Sequence, residues 1–171
     1  MRRNYGWSER GEKAVVTLRR LNTRNISIMA AITRNEMFHY KRLEGNGNID
    51  TFESFLNELI DRIPPDDIPN CILIMDNVAF HKNADIQALI RNRGVSHKYL
   101  PPYSPFLNPI ENLFNQWKDL VKEAQLRSEQ DLFQAIDEIN QALQPAHLEN
   151  YFRHAETNCL RCTTYDIIDH E

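Results

Sequence analysis

Two carboxylates set the chemical question. Asp76 closes the short apolar run Ile72-Leu73-Ile74-Met75, and Glu111 opens a helical pattern after Leu100-Pro101-Pro102-Tyr103-Ser104-Pro105. Residues 77 to 110, 34 in all, separate them. A short apolar run bounded by polar residues reads as a buried strand. A carboxylate at the C-terminal end of such a strand stands where open α/β sheets place their ligands. Hard divalent cations take carboxylate oxygens and keep several waters, so two carboxylates on rigid elements suit metal-assisted phosphoryl transfer.

Each residue also has a plainer reading. An Asp after a strand commonly caps a turn through local hydrogen bonds. Asn108 fits an N-cap, Pro109 the first helical position and Glu111 the third, where its carboxylate would close a capping box. Asn77 either orients Asp76, contacts phosphate or serves a turn. His81 supports Asp76 or begins a helix in solvent. Lys118 lies seven residues beyond Glu111, two turns along the same face. There it neutralises an anion held at the carboxylates or is simply solvated. Phe114 and Trp117 read as core, and Tyr103 and Pro105 as the loop that positions Glu111.

The combination is more specific than its parts. Asp76-Asn77 with His81, then Leu100-Pro101-Pro102-Tyr103-Ser104-Pro105, then Asn108-Pro109-Ile110-Glu111 with Lys118 resembles the DDE transposases of the mariner superfamily. Arg2-Arg3-Asn4-Tyr5-Gly6-Trp7-Ser8 and Gly11 extend the likeness, which covers residues 1 to 125. The resemblance implies a ribonuclease-H-like domain with three carboxylates, two Mg²⁺ or Mn²⁺ ions, and DNA element ends and target DNA as partners. On it Asp76 and Glu111 match the second and third carboxylates and are the metal ligands. Asn77, His81, Asn108 and Lys118 support them or meet DNA. Phe114 stands where many members carry Trp.

The family's first carboxylate, which ends the first strand just before the segment matching Arg2-Arg3, has no counterpart in this sequence. The earliest Asp, Asp50, follows Gly45-Asn46-Gly47-Asn48-Ile49 and reads as a helix start. The expectation is an α/β fold: a ribonuclease-H-like mixed sheet flanked by helices, lacking most of its first strand. Residues 1–125 form the partial catalytic domain and 126–171 a C-terminal helical extension. Such a chain would hold at most one ion weakly and be inactive as it stands. The alternative is a non-catalytic DNA-binding or assembly module derived from a transposase, with a homodimer as its assembly.

Composition bounds these readings. The 171 residues, 42% hydrophobic and 26% charged, suffice for one domain with a real core. No apolar run is long enough to span a bilayer, and Met1-Arg2-Arg3-Asn4-Tyr5 lacks the apolar stretch of a secretory signal. An intracellular setting follows, nuclear in a eukaryotic host. The net charge of −4 divides into +5 over residues 1–25 and −9 over the rest. A basic segment beside an acidic body would draw phosphates toward a carboxylate site, or merely be solvated. Cys159 and Cys162 lack a second pair for zinc, and Cys71 reads as a buried small side chain.

Several elements must position the carboxylates. Residues 14–18 predict a short strand and 26–32 a strand apolar on both faces. Residues 36–43 alternate as its hairpin partner across Thr33-Arg34-Asn35. The period changes over 50–63, where Phe52, Phe55, Leu56, Leu59, Ile60 and Ile63 mark an amphipathic helix stopped by Pro64-Pro65. A strand over 71–75, a helix over 83–92 and a strand over 95–100 follow. Helices are predicted over 108–124 and 128–143, then a short one over 146–153. Residues 163–171 read as a frayed tail.

Overall fold

The run Ile26-Ser27-Ile28-Met29-Ala30-Ala31-Ile32 folds as β1 (Ile26–Ile32), paired antiparallel with β2 (Met37–Glu44). Register runs from Ile26 opposite Glu44 to Ala31 opposite His39, then shifts so that Ile32 faces Met37. The intervening turn is closed by the Thr33 N–H donating to the Glu36 carbonyl at 2.9 Å. Thr33 Oγ1 accepts from the N–H groups of Asn35 and Glu36, both at 3.2 Å. This computed structural model describes residues 10–11, 26–123 and 128–164. The strand predicted over 14–18, the motif at 2–8 and the tail from 165 lie outside the described residues.

Helix α1 (Ile49–Asp61) starts at Asn48, whose side chain accepts from the Thr51 N–H while Thr51 Oγ1 accepts from the Asn48 N–H, a closed capping box. Its apolar face, Phe52, Phe55, Leu56, Leu59 and Ile60, is buried. Strand β3 (Ile72–Met75) then pairs in parallel with β4 (Ser96–Tyr99), with α2 (Ala84–Asn92) as the crossover. Gly94, at φ +74°, lets the chain leave α2 toward β4. Met75 of β3 joins Phe52, Leu56, Ile60, Ile86, Ile90 and Val95 in the main core. Each such side chain contributes roughly 1.5–3 kcal/mol when fully buried.

The other face of β3 is open, with Ile72 and Ile74 52% and 62% exposed. The expected mixed sheet is present as two two-stranded pieces, and among the described residues no ladder joins β1 to β3. All seven β1 residues are accordingly half-buried rather than deeply interior.

Three helices complete the domain: α3 (Pro109–Glu123), α4 (Glu129–Ala142) and α5 (Pro145–Thr163). Ser128 and Asp131 form the capping box that opens α4. Helix α5 corrects the short helix predicted over 146–153. It runs 19 residues because Leu148, Ala155 and Asn158 all find burial, which extends it well past Arg153. Arg34 at the β1–β2 turn holds α5 from outside, paired with Glu149 and Glu156 and lying 5.2 Å over the Phe152 ring. No described helix is long and apolar enough to cross a membrane.

Candidate active site

Asp76 follows β3 directly, and the ladder continues past it on the neighbouring strand, where the Leu100 N–H donates to the Met75 carbonyl at 2.8 Å. The chain then coils into a 3₁₀ turn over Ala79–Lys82, which returns His81 toward the strand end. The His81 ring stacks on Phe52 at 4.1 Å, and its carbonyl accepts from the Tyr99 hydroxyl at 2.7 Å. His81 Nδ1 lies 2.7 Å from Asp76 Oδ1. The imidazole and the carboxylate thus stand at contact distance, beside a buried Oδ1 that meets no other donor. The imidazole holds the Asp76 carboxyl below its usual range, against burial, which pushes it up.

The second carboxylate is placed by a stiff entry to α3. Pro105–Leu107 makes one 3₁₀ turn, and Asn108, in extended conformation, ends it. The Asn108 N–H donates to the Pro105 carbonyl at 2.9 Å. A capping-box Glu111 would have taken that donor, so the plainer reading of Glu111 loses its bond. Asn108 does cap the helix, its Oδ1 accepting from the Ile110 N–H at 3.4 Å. Buried Leu113 and Trp117 anchor α3, and Phe114 packs beside Trp117 at 5.6 Å between ring centres. From behind, Asn158 Nδ2 donates to the Phe106 carbonyl at 3.1 Å.

Asp76, Asn77, Asn108 and Glu111 line one cleft of about 380 Å³, together with Val78 and Leu100–Pro105. His81 stands beside it, bound to Asp76, whereas Lys118 is exposed on α3 and is not part of the lining. Asn77 Oδ1 is buried without a hydrogen-bond partner, and the buried Asp76 Oδ1 has the His81 ring beside it. Acceptors of this kind fit a hard cation or its waters. Among the described residues no group of three His, Cys, Asp or Glu side chains forms a metal site, so the oxygen set fits part of one ion's shell. A larger groove of about 460 Å³ along β2, lined by His39, Lys41, Arg42 and Arg62, carries no carboxylate. Its Lys41 is tied to Glu58 and its Arg42 to Asp137.

Two residues escaped the sequence reading. Asn158 sat beyond the predicted end of its helix, with no local signal. Tyr103 was read as a loop-shaping residue, yet its ring is 98% exposed and its backbone sits at φ +56°. For a residue with a Cβ, the left-handed region costs about 1–2 kcal/mol.

The α/β frame that brings Asp76 and Glu111 to one cleft is shared with solved structures of ribonuclease-H-like fold. A pre-cleavage Mos1 transpososome matches with TM-score 0.79 at 16% identity over 99% of this chain and 52% of that one. The catalytic domain of Mos1 mariner transposase matches with TM-score 0.76 at 16% identity, over 88% and 78%. A Mos1 mariner paired end complex with Mn matches with TM-score 0.79 at 17% identity, over 99% and 52%. This chain thus has the fold of the Mos1 catalytic domain and spans about half the length of the Mos1 chain in those complexes. No curated protein matches it in sequence. Residues 1–133 match the DDE superfamily endonuclease family, and the chain belongs to that family.

Proposed function

We propose that this chain is the metal-binding domain of a mariner-like DNA transposase, with Asp76 and Glu111 as metal ligands. The observation that carries the reading is the single cleft that receives both carboxylates together with the unpartnered Asn77 oxygen. Mg²⁺ or Mn²⁺ suits those donors. When bound, such an ion polarises phosphoryl oxygens and acidifies an attacking hydroxyl. The chain's own groups do the rest. His81 braces the Asp76 carboxyl and lowers its pKa, and Asn108 sets the start of α3. Asn77 from the cleft and Lys118 from the exposed side of α3 meet DNA phosphates. Residues 126–171 extend the same domain, since α5 packs on α3 and on the turn before it.

DNA as partner is supported by the shared fold with Mos1 proteins held in transpososome and paired end complexes. Element ends and target DNA are the proposed substrates, a homodimer the proposed assembly, and the nucleus of a eukaryotic host the setting. We further propose that Asp76 and Glu111 by themselves would hold one ion weakly and would not support strand cleavage. The second reading is a non-catalytic DNA-binding or assembly module.

Mn²⁺ titration by calorimetry tests the ligand assignment. One ion should bind, at least about tenfold more weakly after Asp76→Ala or Glu111→Ala. Unchanged affinity in both variants would sink the assignment. Plasmid nicking that disappears with Asp76→Ala would show that a further residue completes the site and would remove the non-catalytic reading.

A further inference from the structure

Tyr103 is poorly explained by folding. It is the only non-glycine residue at positive φ among the described residues, and its ring is 98% exposed. No other large hydrophobic side chain described is so exposed; the next, Leu160, is 69%. Its conformation would suit Gly or Asn better, and its ring buries nothing. Strained residues of this kind persist where the surroundings over-determine them, and they concentrate at ligand sites.

The surroundings here do over-determine it. Pro101 and Pro102 precede Tyr103 and Pro105 follows, each fixing its own φ. The Ser104 hydroxyl donates to the Pro102 carbonyl at 3.2 Å across the loop tip. The Leu100 N–H pins the loop's base to Met75, and the 3₁₀ turn at Pro105–Leu107 pins its end to α3. The loop lines the same cleft as Asp76, Asn77 and Glu111. An exposed aromatic ring on a braced backbone thus stands at the rim of the cleft that Asp76 and Glu111 line.

We propose that Tyr103 is a nucleobase-stacking residue, receiving an unpaired base next to the phosphodiester held at Asp76 and Glu111. The proposal rests on the DNA reading above and adds the class of contact. An aromatic face accepts every base, so the contact gives affinity and position rather than sequence choice. A duplex base, already stacked on both sides, cannot use the ring; a base at a strand end, nick or distorted step can.

The test is equilibrium binding of a short single-stranded oligonucleotide in Ca²⁺, compared with the same strand carrying one abasic position moved stepwise along it. Tyr103→Leu should weaken binding of the intact strand roughly 5- to 150-fold. Tyr103→Phe should retain most of it. For wild type one abasic position should cost a similar factor, and the two changes together should cost no more than either alone. Tyr103→Gly should lose the same binding while raising the midpoint of urea unfolding, because it relieves the positive φ. Equal losses at every abasic position, or full binding by Tyr103→Leu, would overturn the stacking role while leaving DNA binding intact. A wild-type chain that binds neither strand would overturn the DNA reading itself and the stacking role with it.

Discussion

Asn158 on α5 donates its side-chain N–H to the carbonyl of Phe106, 3.1 Å away, and so fastens the C-terminal helix to the turn that launches α3 and Glu111. Asn158 is 4% exposed, and its Nδ2 also lies 3.3 Å from His154 Nε2. Asn158→Leu keeps the volume and removes the donor. The expected cost is about 1–3 kcal/mol in urea unfolding, with faster amide exchange over residues 105–111. Leu148→Ala, a change at a fully buried residue of the same helix, should cost about 2–5 kcal/mol. It should shift a single cooperative transition if α5 belongs to the catalytic domain. Two separate transitions would instead make residues 126–171 a domain of their own.

The Asp76–His81 pair predicts a titration. His81 holds the Asp76 carboxyl below its ordinary value. The pair therefore contributes stability above the unfolded carboxyl pKa and loses it as pH falls through the lower folded value. In His81→Ala the Asp76 carboxyl should titrate at higher pH, followed by carbon-detected NMR of the side chain. An unmoved Asp76 titration would mean that the ring does not set its charge.

His39 predicts the opposite end of the acid range. It is 8% exposed and stacks on Phe55 at 5.1 Å. Burial first, and the Arg62 charge second, hold its pKa below the ordinary value, while Glu58 at 3.2 Å only partly opposes them. The unfolded chain therefore binds the proton before the folded one does. Stability is full above the unfolded His pKa of about 6.5 and declines as pH drops from there toward the folded value. His39→Phe should flatten that decline in urea midpoints measured between pH 7 and pH 5. A slope identical to wild type would assign the acid sensitivity elsewhere.

Ile72 and Ile74 present an apolar strip on the open face of β3. Beside it, among the described residues, the edge of β3 away from β4 has no ladder partner. Such edges recruit other chains. Ile74→Lys should lower the apparent mass in sedimentation at high concentration while changing unfolding stability by no more than about 0.5 kcal/mol. A concentration-independent monomer in wild type would remove the basis for this self-association.

The sequence alone determined the elements whose signals are local. The helical period from Phe52 to Ile63 marks one helix, and Pro64 ends it. Ile72–Met75 ending at Asp76 reads as a strand with its carboxylate at the rim, because a four-residue apolar run and a polar turn need no tertiary knowledge. The spacing of Asp76, the proline-rich loop and Glu111 was likewise legible, since it is a property of the chain itself, and the structure brings the three to one cleft. Tertiary structure decided what depends on distant partners. It extended α5 past Arg153 because α3 and the Phe106 turn offer burial to Ala155 and Asn158. It turned His81 back onto Asp76 through a stack on Phe52, a residue on another helix. It gave the Asn108 N–H to Pro105, releasing Glu111 from a capping role that the sequence offered equally well. Propensity and period act within a few residues, whereas burial, ion pairing and the competition for each donor are settled only when separate elements meet.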